Sequence, residues 1–487
     1  MSRWLTVTCA WSFSLLAVAD NYSQSFQSSQ PQTRSVSALS ALQGETVDLE
    51  LADAIGLALR DNRAIRSAYL ERVTQKFDLR VARDQFAPQL SLKARYLGNR
   101  THADRMRQAQ LTPSASLLTP YGTRIGLDWT YDHARTGRAG RQYRDGANLM
   151  IIQPLLRGAG RDITSAPLRQ AQLAEQLNRL ALRDEVAQVI TRTVTQYRDL
   201  LRAQERLRIT EDALARARRW VQVNLALIAA GRMPAFEVVQ AEAEVASQEL
   251  AREGSRNRLY QSRLALAQVL AVDLATPLRA VERLRAEQQP LSIEQAMARA
   301  EMLQPAYLMQ QVAGEQATIA LQVARDAQWW DLSLVGGASQ SRERPADRVA
   351  WEQYLGFELV IPIGDLSRRQ SLVQAEVAVQ IQRLSLAESH QQLQRDVSSA
   401  VRDLEAGWRQ LGIADRALEL SRRKLEIEQE KLAAGRSSNF QVLSFESDLR
   451  QAQSTQLDTT IDYLDAQVVL DQVLGTTLER WDVALHD

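Results

Sequence analysis

From about Thr164 to Ala230 the chain has no proline after Pro167, and from about Ser367 to Ala434 it has none at all. Both stretches are dominated by Ala, Leu, Gln, Arg and Glu, residues that lose little side-chain freedom in a helix. At about 1.5 Å per residue each would be a rod of roughly 100 Å. Such a rod exceeds the span of a compact domain of this mass, so the two helices must pack lengthwise on other helices. Leu182, Val186, Val189, Thr193, Tyr197, Leu200 and Leu207 trace one apolar seam. Leu173, Leu177, Leu180, Ala187, Val194 and Leu201 trace a second, which implies neighbours on both sides.

The chain also repeats itself. LRVARDQFAPQLSL at 79–92 matches LQVARDAQWWDLSL at 321–334, carrying Arg83 onto Arg325, a shift of 242 positions. The same shift carries Ala54 onto Ala296 and Ala58 onto Ala300. AAGRMPAFEVVQAE at 229–242 matches AAGRSSNFQVLSFE at 433–446 at a shift of 204, so the first half holds extra residues between the two matches. Each half reads as a helix, alternating strands, the long helix, a glycine turn and a returning helix. The first repeat takes 47–275, with its first helix reaching about Gln85, strands within 88–156, the long helix at 164–230 and the return at 235–270. A linker follows at 276–290. The second repeat takes 291–476, with strands within 331–363, the long helix at 367–434 and the return at 438–474, and 477–487 is a tail.

The residues before the first repeat point to export. MSRWLTVTCAWSFSLLAVAD has a basic Arg3, an apolar run and Ala17-Val18-Ala19 as a small-x-small cleavage pattern, so 1–19 is expected to be a signal peptide. The Ser- and Gln-rich residues 20–46 read as a flexible periplasmic arm. The single cysteine, Cys9, lies in the signal segment, which leaves no disulfide and no thiol nucleophile in the mature chain. No further run of about 18 apolar residues occurs, so spanning helices are not expected.

The strands decide between a soluble and a membrane reading. In YGTRIGLDWTYDH at 121–133, Tyr121, Thr123, Ile125, Leu127, Trp129 and Tyr131 fall on one side, and Gly122, Arg124, Gly126, Asp128, Thr130 and Asp132 on the other. In 351–363, Trp351, Leu355, Phe357, Leu359 and Ile361 share a face, opposite Glu352 and Glu358. In a sealed core Arg124, Asp128, Asp132, Glu352 and Glu358 would each cost several kcal/mol. A water-filled barrel lumen removes that cost, with the apolar face toward lipid. Trp129, Trp329, Trp330 and Trp351 are the expected aromatic girdle. One chain has too few strands to close a wide barrel, and open edges are not tolerated in lipid, so several copies must complete it.

The order of these elements, QPLLRG at 153–158 and the turns AAGRMPAF and AAGRSSNF together resemble the outer membrane efflux proteins related to TolC, over residues 48–476. The resemblance implies a mainly α fold with a β-barrel portion: a homotrimer, each protomer giving four strands to a twelve-stranded transmembrane barrel and its helices to a periplasmic α-barrel. It implies a passive outer-membrane duct of a tripartite efflux or type I secretion system, docked by its two turns on a periplasmic adaptor (membrane fusion) protein and an inner-membrane pump of RND or ABC type. Gly231, Arg232, Gly435 and Arg436 are then the adaptor-facing tips. Some family members narrow the entrance with aspartates six and nine residues after the second tip glycine. Here those positions are Gln441 and Ser444. Glu446 and Asp448 stand further up the helix as substitutes, and Glu237 is the matching position of the first turn. Residues 98–142 either add strands or form a loop; Thr119-Pro120-Tyr121-Gly122 reads as a turn, and the expectation is twelve strands with an embellished first hairpin.

Nothing in the sequence suggests catalysis. His102, His133, His390 and His486 stand beside no cluster with metal-ligand spacing, and RGAGRD at 157–162 lacks the Lys-Ser or Lys-Thr of a phosphate loop. No enzyme activity, metal or cofactor is expected. Basic and acidic residues, 59 against 58, are interleaved, which gives no stripe for nucleic acid. The competing reading is a periplasmic coiled-coil scaffold without a pore, separable by whether detergent or simple periplasmic release extracts the protein.

Overall fold

The computed structural model describes residues 46–100, 105–136, 140–434 and 436–485. The expected signal peptide, nearly all of the arm, His102, Gly435 and His486 lie outside the described residues. The first repeat begins with β1 (Val47–Leu49), α1 (Leu51–Asp61) and α2 (Arg63–Asp84). Strands β2 (Gln89–Arg100), β3 (Arg105–Leu118), β4 (Arg124–Thr136) and β5 (Gly140–Pro154) follow. The short α3 (Arg161–Thr164) leads into α4 (Ala166–Ala229), and α5 (Glu237–Leu270) returns. The second repeat comprises β6 (Leu278–Ala280), α6 (Ile293–Leu303), α7 (Pro305–Asp326), β7 (Asp331–Arg344), β8 (Arg348–Val360), α8 (Leu366–Ala433), α9 (Asn439–Leu474) and α10 (Thr477–Arg480).

The opening helix breaks in both repeats at the same repeat position. Asn62 accepts a hydrogen bond from the Ala64 N–H at 2.9 Å and donates to the Val269 carbonyl at 2.8 Å, so α1 and α2 are separate. Gln304 does the same for α7, accepting from Tyr307 N–H ahead of Pro305 at the first turn. The single helix expected to reach Gln85 is therefore two. The stretch 276–290, expected as a linker, contains β6, which pairs in parallel with β1 from Val47–Leu278 to Leu49–Ala280.

Helices α4 and α8 run 64 and 68 residues. Each packs along its returning helix, α5 or α9, and α4 also touches α9, α2 and α7. In α4, Val186, Val189, Thr193, Tyr197 and Leu200 are at most 1% exposed. The Tyr197 hydroxyl donates to the Leu49 carbonyl at 2.8 Å, which ties β1 to the middle of the rod. On the α9 side, Tyr463 donates to the Glu287 carbonyl at 2.7 Å.

The six strands β2–β3–β4–β5–β7–β8 form one antiparallel sheet in that order. This overturns the four-strand expectation: β3 and β4 are a full hairpin inside the sheet, not an embellishment on its first hairpin. Pro113 faces outward within β3, and the β3–β4 ladder is interrupted at Thr112 and Pro113, where proline has no N–H to give. That interruption and the many small residues of β3 mask its alternation in the sequence.

Candidate functional site

Direct cross-strand partners share a face, so the register sorts every side chain of the sheet. One face carries Leu90, Leu92 and Tyr96 of β2, Leu111, Ala115 and Leu117 of β3, and Ile125, Leu127, Trp129 and Tyr131 of β4. It continues through Leu149 and Ile151 to Leu334 and Ala338, and ends on Trp351, Leu355, Phe357 and Leu359. The other face carries Ser91, Lys93 and Arg95, then Gln108, Gln110 and Ser114, then Arg124, Asp128 and Asp132. Asn148, Ser339, Glu352 and Glu358 complete it. All five charged residues assigned to a lumen from sequence thus lie on this one polar face. Two of them accept from neighbouring strands there: Asn148 donates to Asp128 at 3.1 Å and Gln108 to Asp132 at 2.6 Å.

The four tryptophans fall at two levels. Trp129, Ala147, Gln340 and Trp351 form one row on the apolar face. The next row away from the helices holds Asp145 opposite Arg342, flanked by Tyr131 and Val349. Trp329 and Trp330 stand just before β7, at the helical end of the sheet, both more than half exposed. RGAGRD forms the bend below β5: Gly158 and Gly160 have φ of 76° and 91°, and the Gly158 N–H donates to Asp326 at 2.8 Å. It holds the end of the sheet to α7.

At the far end, two tips lie side by side. Gly231, with φ 66°, ends α4, and the Arg232 guanidinium donates to the Ala433 carbonyl at the end of α8 at 3.0 Å. Arg436 N–H donates to the Lys431 carbonyl at 2.8 Å. Ser438 caps α9 through the Gln441 N–H. Gln441 and Ser444 are exposed. The two substitute carboxylates are not free: Glu446 accepts from Arg216 of α4 at 2.8 Å, and Asp448 pairs with Lys424 at 2.9 Å. Glu237 is half-buried, and its carbonyl accepts from Asn439 at 3.4 Å.

The sequence reading missed the centre of this contact. Asn439, 2% exposed, accepts from Trp220 Nε1 at 2.5 Å and from Asn224 Nδ2 at 3.2 Å. The available signal was the departure from repeat symmetry, since Asn439 stands where the first turn has Ala235. Asn439→Ala is expected to leave two donors without their acceptor, at about 1–3 kcal/mol each if both stay dry. Hydrogen exchange should then quicken at 220–224 and 437–442 and stay unchanged in the sheet; equal protection at the tips would contradict the linkage.

Higher up, α4 and α9 are joined by a ladder of ion pairs: Arg198–Asp465 at 3.1 Å, Arg202–Asp462 at 2.8 Å and Arg206–Asp458 at 2.6 Å. Burial raises the Asp465 carboxyl, with Arg198 and Arg202 acting against it. Among the described residues no group of three or more His, Cys, Asp or Glu is placed to hold a metal ion.

Residues 292–476 match the family model described as outer membrane efflux protein. The match spans the second repeat, and over that stretch the chain is similar to outer membrane efflux proteins. Solved structures share the fold over most of its length. The Campylobacter jejuni CmeC outer membrane channel is 16% identical, covering 88% of this chain and 86% of its own, with a TM-score of 0.67. The Vibrio cholerae outer membrane protein VceC is 15% identical, covering 87% and 96%, TM-score 0.67. The open state of the Neisseria gonorrhoeae MtrE outer membrane channel is 16% identical, covering 89% and 91%, TM-score 0.67. A comparison with curated protein sequences returned no match.

Proposed function

We propose that three copies of this chain form a passive outer-membrane duct serving a tripartite efflux or type I secretion system. The observation that carries this reading is the sorting of one sheet into a mostly apolar face and a mostly polar, charge-bearing one, at the end of rods too long to fold alone. The apolar face meets lipid and the face with Arg124, Asp128, Asp132, Glu352 and Glu358 lines water. Gln340, in the row of Trp129 and Trp351, lies ten residues beyond Trp330. At about 3.3 Å per residue and a tilt of about 40°, this separates the two aromatic levels by roughly 25 Å, the height of an outer-membrane apolar band.

The helices support a closed assembly. Leu70, Val73, Phe77 and Val81 on α2, and Val373, Val377, Ile381 and Leu384 on α8, form exposed apolar stripes at helical spacing. They suit burial against the next copy. The tips with Gly231, Arg232, Gly435 and Arg436 are the docking surface for a periplasmic adaptor, which couples the duct to an inner-membrane pump of RND or ABC type. Energy comes from that pump. Gln441 and Ser444 line the narrowed entrance. In planar bilayers, Gln441→Trp and Ser444→Trp should each lower single-channel conductance severalfold. Conductance equal to that of the parent protein would remove these residues from the constriction, and a purified protein that forms no channels would overturn the duct.

A further inference from the structure

We infer that the transmembrane wall has eighteen strands, closed by an antiparallel seam between β8 of one copy and β2 of the next. The inference rests on the trimeric duct proposed above and adds the width of its barrel and the residues of its seam. Three six-stranded sheets supply the eighteen strands.

The β3–β4 hairpin is wall rather than loop on two independent grounds. Its register continues both faces of the neighbouring strands: Ala115 and Leu127 lie between Leu90 and Leu149, and Gln110 and Asp132 between Arg95 and Arg144. Its turn is also anchored at the base of the sheet. Thr119 N–H donates to the Thr123 carbonyl at 2.9 Å, and the Thr123 hydroxyl donates to Gln153 of β5. Gly122 is buried there with φ +91°, and a Cβ on it would stand 2.7 Å from the Gly158 carbonyl oxygen, so the turn sits directly on the bend below β5.

Strands β2 and β8 are the two edges of the sheet and are exposed along their whole length. Among the described residues their outer N–H and C=O groups have no partner strand, a state that hydrocarbon does not tolerate. The fitting occupant is a second copy. β2 runs away from the helices and β8 runs toward them, so edges of neighbouring copies meet antiparallel. The exposed stripes of α2 and α8 continue directly from these same two edges. On the polar face β2 offers Lys93 and Arg95, and β8 offers Glu352 and Glu358. With the helical ends level and faces matched, Ser91 stands opposite Glu358 and Leu97 opposite Glu352, within one step of register. Lys93 and Arg95 then become diagonal neighbours of the two carboxylates.

The width follows from strand number. At about 4.8 Å between strands and a tilt of about 40°, eighteen strands close at a backbone diameter of about 36 Å, against about 24 Å for twelve. The barrel is then no constraint on cargo, and selection falls to the periplasmic entrance.

The test combines crosslinking with a strand count on the detergent-extracted full chain. In a Cys9→Ser background, Ser91→Cys is combined in turn with Gly356→Cys, Glu358→Cys and Val360→Cys, and electron cryomicroscopy is used to count the strands. Covalently linked trimers from one of the three pairs, together with eighteen strands, are the expected result. A trimer in which none of the pairs crosslinks, or whose barrel has twelve strands, would overturn the seam while leaving the duct standing. A chain that is monomeric in detergent would overturn both.

Discussion

Glu175→Ala is expected to destabilise the chain by about 3–5 kcal/mol, because it leaves a buried guanidinium without its carboxylate. Arg72 of α2 and Glu175 of α4 meet in a bidentate pair, Nη1 to Oε2 at 2.8 Å and Nη2 to Oε1 at 2.6 Å. Their side chains are only 5% and 9% exposed, so water screens little of the interaction. Arg179, one turn along α4, also donates to Glu175 at 3.2 Å, but its own side chain is mostly exposed and supplies less. The double variant Arg72→Met with Glu175→Leu should recover most of the loss, since an apolar pair of similar volume removes both charges together. Denaturant midpoints of the detergent-solubilised protein measure all three forms. A Glu175→Ala midpoint equal to that of the parent would mean that the pair contributes nothing.

The same pair gives a signed pH dependence. The Arg72 guanidinium beside Glu175 holds its carboxyl below the usual carboxylate range. Its stabilisation is therefore complete above the ordinary range, and it is lost as pH falls through the lowered native value. The acid sensitivity of the parent should accordingly exceed that of the double variant.

Gly475→Ala is expected to cost about 3 kcal/mol, combining left-handed strain with a steric clash. Gly475 ends α9 with φ +75°, and a Cβ there would stand 2.5 Å from the Leu303 carbonyl oxygen and 2.8 Å from the Gln304 nitrogen. Both are backbone atoms at the α6–α7 break, so neither can rotate away. The equivalent position in the first repeat is Ala271, which ends α5 with φ 55°. There the converse change, Ala271→Gly, should gain about 1 kcal/mol by relieving the same backbone conformation. Denaturant titration of the two variants would show opposite shifts, and a shift of the same sign in both would break the argument from repeat symmetry.

Much of the fold could be read without coordinates because its signals are local. Helix length, the seam through Val186 and Tyr197, and the alternation from Ile125 to Tyr131 all follow from residues within a few turns or pleats of one another. The strand β3 escaped because Pro113 and a run of Gln, Ala, Ser and Thr weaken its alternation. The break at Asn62 escaped because its second hydrogen bond goes to Val269, more than two hundred residues away. At the entrance, Glu446 and Asp448 read as available carboxylates until Arg216 and Lys424 are found beside them. Asn439, the hub for Trp220 and Asn224, carries no local mark of its own beyond its difference from Ala235.

The sequence by itself determined the two-faced strands, the paired rods and the duplication, since hydrophobic periodicity and proline placement act over short stretches of chain. Only the tertiary structure decided how many strands stand side by side, which edges remain open and which side chains join the two tips. Those depend on register and on partners distant in the chain, and a residue's own neighbours do not encode them.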